Sequence, residues 1–229
     1  MPVFRLSEEH IFPPAELASE DGVLAVGGDT DPDRLLLAYQ NGIFPWPHED
    51  LPLLWFSPNP RFVLEPKKAK ISHSLRKALK QKPYHICADK AFDSVIKRCA
   101  TVSRRGQHGT WITDDMMAGY FQLHKMGYAH SIEAYLGDTL VGGLYGVSLG
   151  GVFFGESMFA DMPDASKICF AVLLKNLVAW GFDLVDCQSY TDHLARFGAE
   201  HWPRIKFLHV LQNSLKKPTK RGEWKLDPT

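Results

Sequence analysis

An acid and an amide stand two residues apart in Leu184-Val185-Asp186-Cys187-Gln188, a segment otherwise made of apolar residues and a thiol. It follows an apolar run that ends at Gly181, so it reads as a strand entering a core. Side chains at i and i+2 of a strand share one face. Asp186 and Gln188 are therefore expected to point one way, and Val185 and Cys187 the other. A carboxylate and an amide on an apolar strand are costly unless hydrogen-bonded or put to use. Two readings stay open on the residues alone. One is a structural Asp satisfied by backbone or by an arginine; the other is a proton-handling pair.

Other chemistries fit less well. Phe154-Gly155-Glu156-Ser157-Met158 lacks the second glycine of a Gly-x-Ser-x-Gly nucleophile elbow. Ser189, Asp192 and His193 are close in sequence, whereas a nucleophile and its base usually come from distant segments, so no triad is expected. The ten histidines form neither His-Glu-x-x-His nor a Cys/His cluster, and no metal site is expected. Asp29, Asp31 and Asp33 alternate like the start of a calcium loop, but Arg34 and Gln40 occupy the positions that need a glycine and an acid. Helix capping accounts for them better.

The elements that must hold these residues are marked by capping and turn signals. Asp31-Pro32 opens a helix that Gly42 ends, inside an irregular, proline-punctuated stretch over residues 1–60. Ser72 opens a second helix that stops before Pro83, with Leu75 and Leu79 on its apolar stripe and Arg76, Lys77 and Lys80 crowding the other side. A third runs from Ala91 to Ala100. Thr113 caps a fourth, which Gly127 follows. The period then switches to two: strands are expected over 129–136, 139–149 and 152–156, joined by turns at Gly137-Asp138 and Gly150-Gly151. Asp164 or Ser166 opens a long apolar helix through Trp180, and the Asp186 strand follows. Three antiparallel strands, a helix and one more strand make a mixed layer arrangement.

Composition bounds the class. With 229 residues, 45% hydrophobic and 12% aromatic, the chain can bury a sizeable core. It has no apolar stretch long enough to span a membrane and no signal-peptide pattern at its start. Cys87, Cys99, Cys169 and Cys187 are scattered and read as reduced thiols of a cytosolic protein. The zero net charge hides segregation. Residues 1–60 hold 2 Lys/Arg against 10 Asp/Glu, whereas residues 61–105 hold 13 against 3, a net of +10. Such a block suits a polyanion, or alternatively pairs with the acidic N-terminal part.

Nine short motifs then occur in unbroken order. They are Gly27-Gly28-Asp29, Gly42-Ile-Phe-Pro-Trp46, Trp55-Phe-Ser-Pro-Asn-Pro-Arg61, Gly109-Thr-Trp-Ile-Thr113, Gly127-Tyr-Ala-His-Ser-Ile-Glu133, Val141-Gly-Gly-Leu-Tyr-Gly-Val147, Phe154-Gly-Glu-Ser-Met-Phe159, Ala165-Ser-Lys167 and Asp186-Cys-Gln188. Together they resemble the leucyl/phenylalanyl-tRNA–protein transferase family, from about residue 10 to 207; the tail from Lys216 carries none of it.

The resemblance implies an α+β chain, with a small irregular N-terminal α/β domain (1–61) and a larger domain (62–229) of N-acetyltransferase-like fold. It implies a bacterial, cytoplasmic, monomeric enzyme. That enzyme moves Leu or Phe, to a lesser extent Met, from aminoacyl-tRNA to the N-terminal Arg or Lys of a protein, creating a degradation signal. The 156–165 connection lacks the glycine-rich pyrophosphate loop of acetyl-CoA enzymes, so no cofactor is expected. An acetyl-CoA N-acetyltransferase and a noncatalytic RNA-binding protein are the alternatives.

The same resemblance places Asp186 and Gln188 at the reaction centre. Gln188 would orient the incoming amine through its carbonyl oxygen, and Asp186 would polarise that amide and help carry the proton away. Trp111, Leu144, Phe153, Met158 and Phe170 are candidates for the apolar amino-acid pocket, with core packing the alternative for each. Glu156, beside Ser157, either orders that pocket, meets the cationic N-terminal residue of the acceptor, or makes a structural hydrogen bond. Trp46 is a candidate to stack on the terminal adenine. Arg76, Lys77 and Lys80 would meet the acceptor-stem phosphates.

Overall fold

The computed structural model describes residues 3–48, 51–81, 83–102 and 112–227. Its elements run β1 (Phe4–Leu6), β2 (Val23–Gly27), α1 (Pro32–Gln40), β3 (Phe44–Pro45), β4 (Leu54–Phe56), β5 (Arg61–Leu64), α2 (His73–Gln81), β6 (His85–Ala88), α3 (Phe92–Thr101), α4 (Asp114–Lys125), β7 (Ala129–Leu136), β8 (Thr139–Leu149), β9 (Val152–Ala160), α5 (Ala165–Ala179), β10 (Leu184–Gln188), α6 (Asp192–Arg196), β11 (Glu200–Trp202) and α7 (Arg204–Ser214). The architecture is mixed α/β with two mixed sheets. One has four strands in the order β1-β2-β4-β3, and the other seven in the order β11-β5-β10-β9-β8-β7-β6. In the larger sheet β9 and β10 are parallel and the remaining neighbours antiparallel.

Local signals explain the helices. The Asp31 carboxylate accepts the Asp33 N–H at 2.9 Å with Pro32 in the first turn, and Thr113 Oγ1 accepts the Met116 N–H at 3.2 Å. Ser72 Oγ accepts from Leu75 N–H, while Gly127 and Gly181 leave their helices at positive φ. Alternation along β8–β10 splits the apolar residues between two cores. Val152, Phe154 and Leu184 face α3, α4, α7 and the smaller sheet; Leu144, Phe153 and Val185 face α5 and the chain's C-terminal tail. Among the described residues no helix is long and apolar enough to cross a membrane, and all four cysteines are free thiols.

Two expectations need correction. The third strand continues past Glu156 to Ala160: Glu156 is the unpaired residue of a register shift, and Ser157, Met158, Phe159 and Ala160 pair with β8 beyond it. The face assignment of β10 also fails at its last residue. The register shifts between Asp186 and Gln188, and Gln188 adopts a left-handed backbone with φ 60°. A bulge of this kind turns the next side chain to the other face.

Candidate active site

Beyond Phe154 and Asp186 the parallel pairing of β9 with β10 stops, and a cavity of about 550 Å³ opens there. Strand residues Leu144, Phe153, Glu156, Ser157, Met158 and Gln188 line it, together with Phe170 of α5 and with Pro45 and Trp46. The structure thus brings together Trp46, Leu144, Phe153, Glu156, Ser157, Met158, Phe170 and Gln188. Trp111, with the basic loop at 104–109, lies outside the described residues. Arg76, Lys77 and Lys80 stand exposed on α2, away from the cavity lining.

The bulge separates the two residues that alternation would have paired. Gln188 turns into the cavity beside Val185 and Cys187, whereas Asp186 is fully buried behind it. There the Asp186 carboxylate meets Arg61 in a two-point contact, Nε to Oδ1 at 2.8 Å and Nη2 to Oδ2 at 2.6 Å. Arg61 is equally buried, its guanidinium held between the rings of Phe44 and Phe207 at 4.6 and 4.7 Å from their centroids. The Gln188 backbone N–H donates to Asp186 Oδ1 at 2.9 Å. Asp186 therefore fixes the bulge that aims Gln188. It does not contact the Gln188 side-chain amide, which corrects the expected geometry of the pair.

The group that does contact that amide is Glu156. Gln188 Nε2 donates to Glu156 Oε1 at 2.8 Å, which leaves the amide's carbonyl oxygen for the cavity. Tyr39 of α1 and Tyr120 of α4, both fully buried, lie 2.7 Å from Oε1 and Oε2 and 2.6 Å from each other. Three oxygen–oxygen contacts at these distances need three protons. The two phenols supply two, so the triangle is complete when the Glu156 carboxyl carries the third. Burial pushes the Glu156 pKa up from 4.5 to about 7, and the nearby Asp186 charge adds to it, against the hydrogen bonds from Tyr120, Tyr39 and Gln188. Burial together with the Glu156 charge raises both phenols, so they keep their protons.

Other groups in the cavity are chemically quiet. Burial lifts the Cys187 thiol well above its ordinary range, with the Asp186 charge adding, so it is no thiolate at neutral pH. His193 also lines the cavity, where burial and the neighbouring Lys167 and Arg196 charges lower its pKa. Asp192 accepts a hydrogen bond from Tyr190 OH at 2.7 Å, and no Ser–His–Asp chain forms. At the rim Trp46 lies tilted against Phe44 and Phe56 and stacks near His48, with centroids 6.1 to 6.4 Å apart. Sequence reasoning missed Arg61, Tyr39, Tyr120 and His193. The signal for Arg61 was a charged residue heading the apolar run Phe62-Val63-Leu64; the tyrosines carried none.

Among the described residues, four cations of the basic block pair within the chain. Arg61 pairs with Asp186, Lys68 with Glu65, Lys90 with Glu223 and Arg98 with Asp161. Among the described residues no ion pair joins it to the acidic N-terminal part, which leaves the α2 cations facing solvent.

The model of the family described as leucyl/phenylalanyl-tRNA protein transferase matches residues 63–212, and that of its N-terminal domain matches 28–59. The leucyl/phenylalanyl-tRNA–protein transferase of Myxococcus xanthus is 55% identical over 98% of this chain and 97% of its own length. That of Anaeromyxobacter sp. strain Fw109-5 is 54% identical over 99% and 97%. The chain belongs to the leucyl/phenylalanyl-tRNA protein transferase family. A solved structure described as L-PGS from Bacillus licheniformis is 9% identical, with a TM-score of 0.38 over 88% of this chain and 65% of that one.

Proposed function

We propose that this chain is an aminoacyltransferase that moves Leu or Phe, and to a lesser extent Met, from aminoacyl-tRNA onto the N-terminal Arg or Lys of an acceptor protein. The product is a new peptide bond and a degradation signal. Family membership supports the reaction class. The observation that carries it in this molecule is the apolar cavity with Gln188 and Glu156 hydrogen-bonded to each other in its lining.

Leu144, Phe153, Met158 and Phe170 give the transferred side chain an apolar surround. Burying a Leu or Phe side chain there contributes about 1.5–3 kcal/mol. The aminoacyl ester is already activated, so positioning and proton handling suffice. An α-amine titrates near 7.7–8.0, so part of it is neutral at pH 7. The Gln188 carbonyl oxygen accepts a hydrogen bond from that amine and orients it. As the C–N bond forms and the ester C–O bond breaks, the amine loses one proton and the departing ribose oxygen gains one. Glu156, poised at about 7, accepts a proton in its ionised form and returns it in its neutral form. Asp186 with Arg61 holds the bulge that places Gln188. Trp46 at the rim suits the terminal adenine.

The strand order with its single parallel pair supports an N-acetyltransferase-like reading of residues 62–229 beside a smaller unit at 1–61. No acetyl-CoA is required in this account: Asp164, an acid, stands at the N-terminus of α5 where glycine-rich loops cradle phosphate. The α2 cations suit acceptor-stem phosphates, and the chain acts as a monomer in the bacterial cytoplasm. Replacing Arg76, Lys77 and Lys80 together with Ala should weaken tRNA binding roughly tenfold or more and lower the slope of log affinity against log salt by about 2–3.

The deciding assay mixes the protein with radiolabelled Leu-tRNA and a peptide beginning with Arg. Label moves to the peptide without any added cofactor. Label appearing only with acetyl-CoA, or none under any condition, overturns the reading.

A further inference from the structure

The family model ends at residue 212, yet the chain beyond it does not hang free. It crosses the α5 face of the larger sheet as a strap tied at several points. Gly150 N–H donates to Thr219 Oγ1 at 2.9 Å, Lys217 pairs with Asp183 at 2.6 Å, and Lys90 pairs with Glu223. The Asp227 N–H donates to the buried Asn176 Oδ1 at 2.7 Å. In the middle Trp224, 2% exposed, donates its backbone N–H to Asp89 Oδ2 at 2.7 Å. The same carboxylate oxygen takes the His130 Nδ1 at 2.8 Å, and the His130 ring stacks on the Trp224 indole at 3.9 Å between centroids.

That indole touches the cavity's wall from behind. Its centroid is 5.9 Å from that of Phe153, which lines the cavity. The Phe153 ring also closes against Gly146, where a Cβ would come within 2.5 Å of Cζ. Phe153 thus packs against both Gly146 and Trp224 while lining the cavity. Trp180 and Phe182, at 4.9 and 6.1 Å, brace the indole in turn.

We propose that the C-terminal strap is a structural part of the amino-acid pocket, with Trp224 setting the pocket's depth by holding Phe153 forward. The proposal rests on the assignment of the cavity to the transferred side chain. Trp224 is a positioning residue: it touches no reactant and acts through one ring. Removing the indole leaves a void that neighbouring side chains collapse into only in part. Phe153 is the neighbour free to retract, and its retreat deepens the cavity in favour of the longer aromatic side chain.

The test compares kcat/KM for Phe-tRNA and Leu-tRNA, with an Arg-starting peptide as acceptor, in the full chain and in Trp224→Ala and Trp224→Phe. In Trp224→Ala the Phe-to-Leu ratio rises about three- to tenfold, within the range that pocket-size changes produce. Trp224→Phe gives a smaller shift in the same direction and decides the matter if the alanine variant does not fold. An unchanged ratio in a folded variant, with both donors falling alike, overturns the proposal and leaves the strap a stabilising element. Failure of the unaltered chain to transfer either amino acid instead removes the functional reading on which it rests.

Discussion

Two carboxyl groups stand on adjacent strands of one sheet, Asp186 fully buried and Glu156 half-buried in the cavity lining, and their surroundings differ in kind. Asp186 meets a guanidinium wedged between two aromatic rings, with a backbone N–H on the same oxygen. Its charge is matched, and its work is geometric. Glu156 meets two phenols and an amide, all neutral. Their hydrogen bonds offset burial only in part, which leaves the Glu156 pKa raised to about 7, so the group can exchange a proton during a reaction at pH 7. A cation makes a carboxylate a strut, and neutral donors leave it a proton exchanger. The bulge at Gln188 joins the two, its backbone on the strut and its side chain on the exchanger.

The comparison breaks most easily at Arg61. Arg61→Ala leaves Asp186 buried without its counter-charge and should lower unfolding free energy by about 3–5 kcal/mol in urea melts. A loss below about 1 kcal/mol would mean that Asp186 is not held as described. The next largest effect is on the other side. Because the folded-state pKa of Glu156 is raised, its contribution to stability is present below pH 4.5 and disappears as pH rises through about 7. That interval corresponds to roughly 3 kcal/mol. Glu156→Gln lacks the titration, so its stability relative to the unaltered chain should improve by about that much between pH 4.5 and 8. A pH-independent difference contradicts the poised carboxyl. The smallest effect sharpens the triangle: Tyr120→Phe removes two of its three contacts, to Tyr39 and to Glu156. It should cost about 1 kcal/mol in urea melts, and an unchanged stability would rule the triangle out.

Much of the scaffold was legible because its signals are local. The Asp31 and Thr113 caps, the glycines after α4 and α5, and the period-two runs of β7 and β8 each act within a few residues. The site was legible in part for the same reason: an acid and an amide on an apolar strand show without any partner. Their orientation did not show, because a left-handed glutamine at a bulge depends on a carboxylate fixed by an arginine far upstream. Tyr39 and Tyr120 carried no signal, since the glutamate that uses their hydroxyls comes from a distant strand. The helix α7 was missed because it buries only Phe207, Leu211 and Ser214, too few positions for a periodic pattern. The tail carried no motif, and its packing became visible only with Trp224 in place.

The central claim is that Gln188, aimed by one carboxyl and held by the other, orients the attacking amine. Gln188→Ala removes the amide while leaving Arg61, Asp186, Tyr39, Tyr120 and the α2 cations in place. Single-turnover transfer from Leu-tRNA to an Arg-starting peptide should then slow by about 10²-fold or more. Affinity for aminoacyl-tRNA, measured on the same preparation, should stay within about twofold, because phosphate contacts carry it. Transfer at the unaltered rate, or an equal fall in transfer and tRNA affinity, would contradict the account.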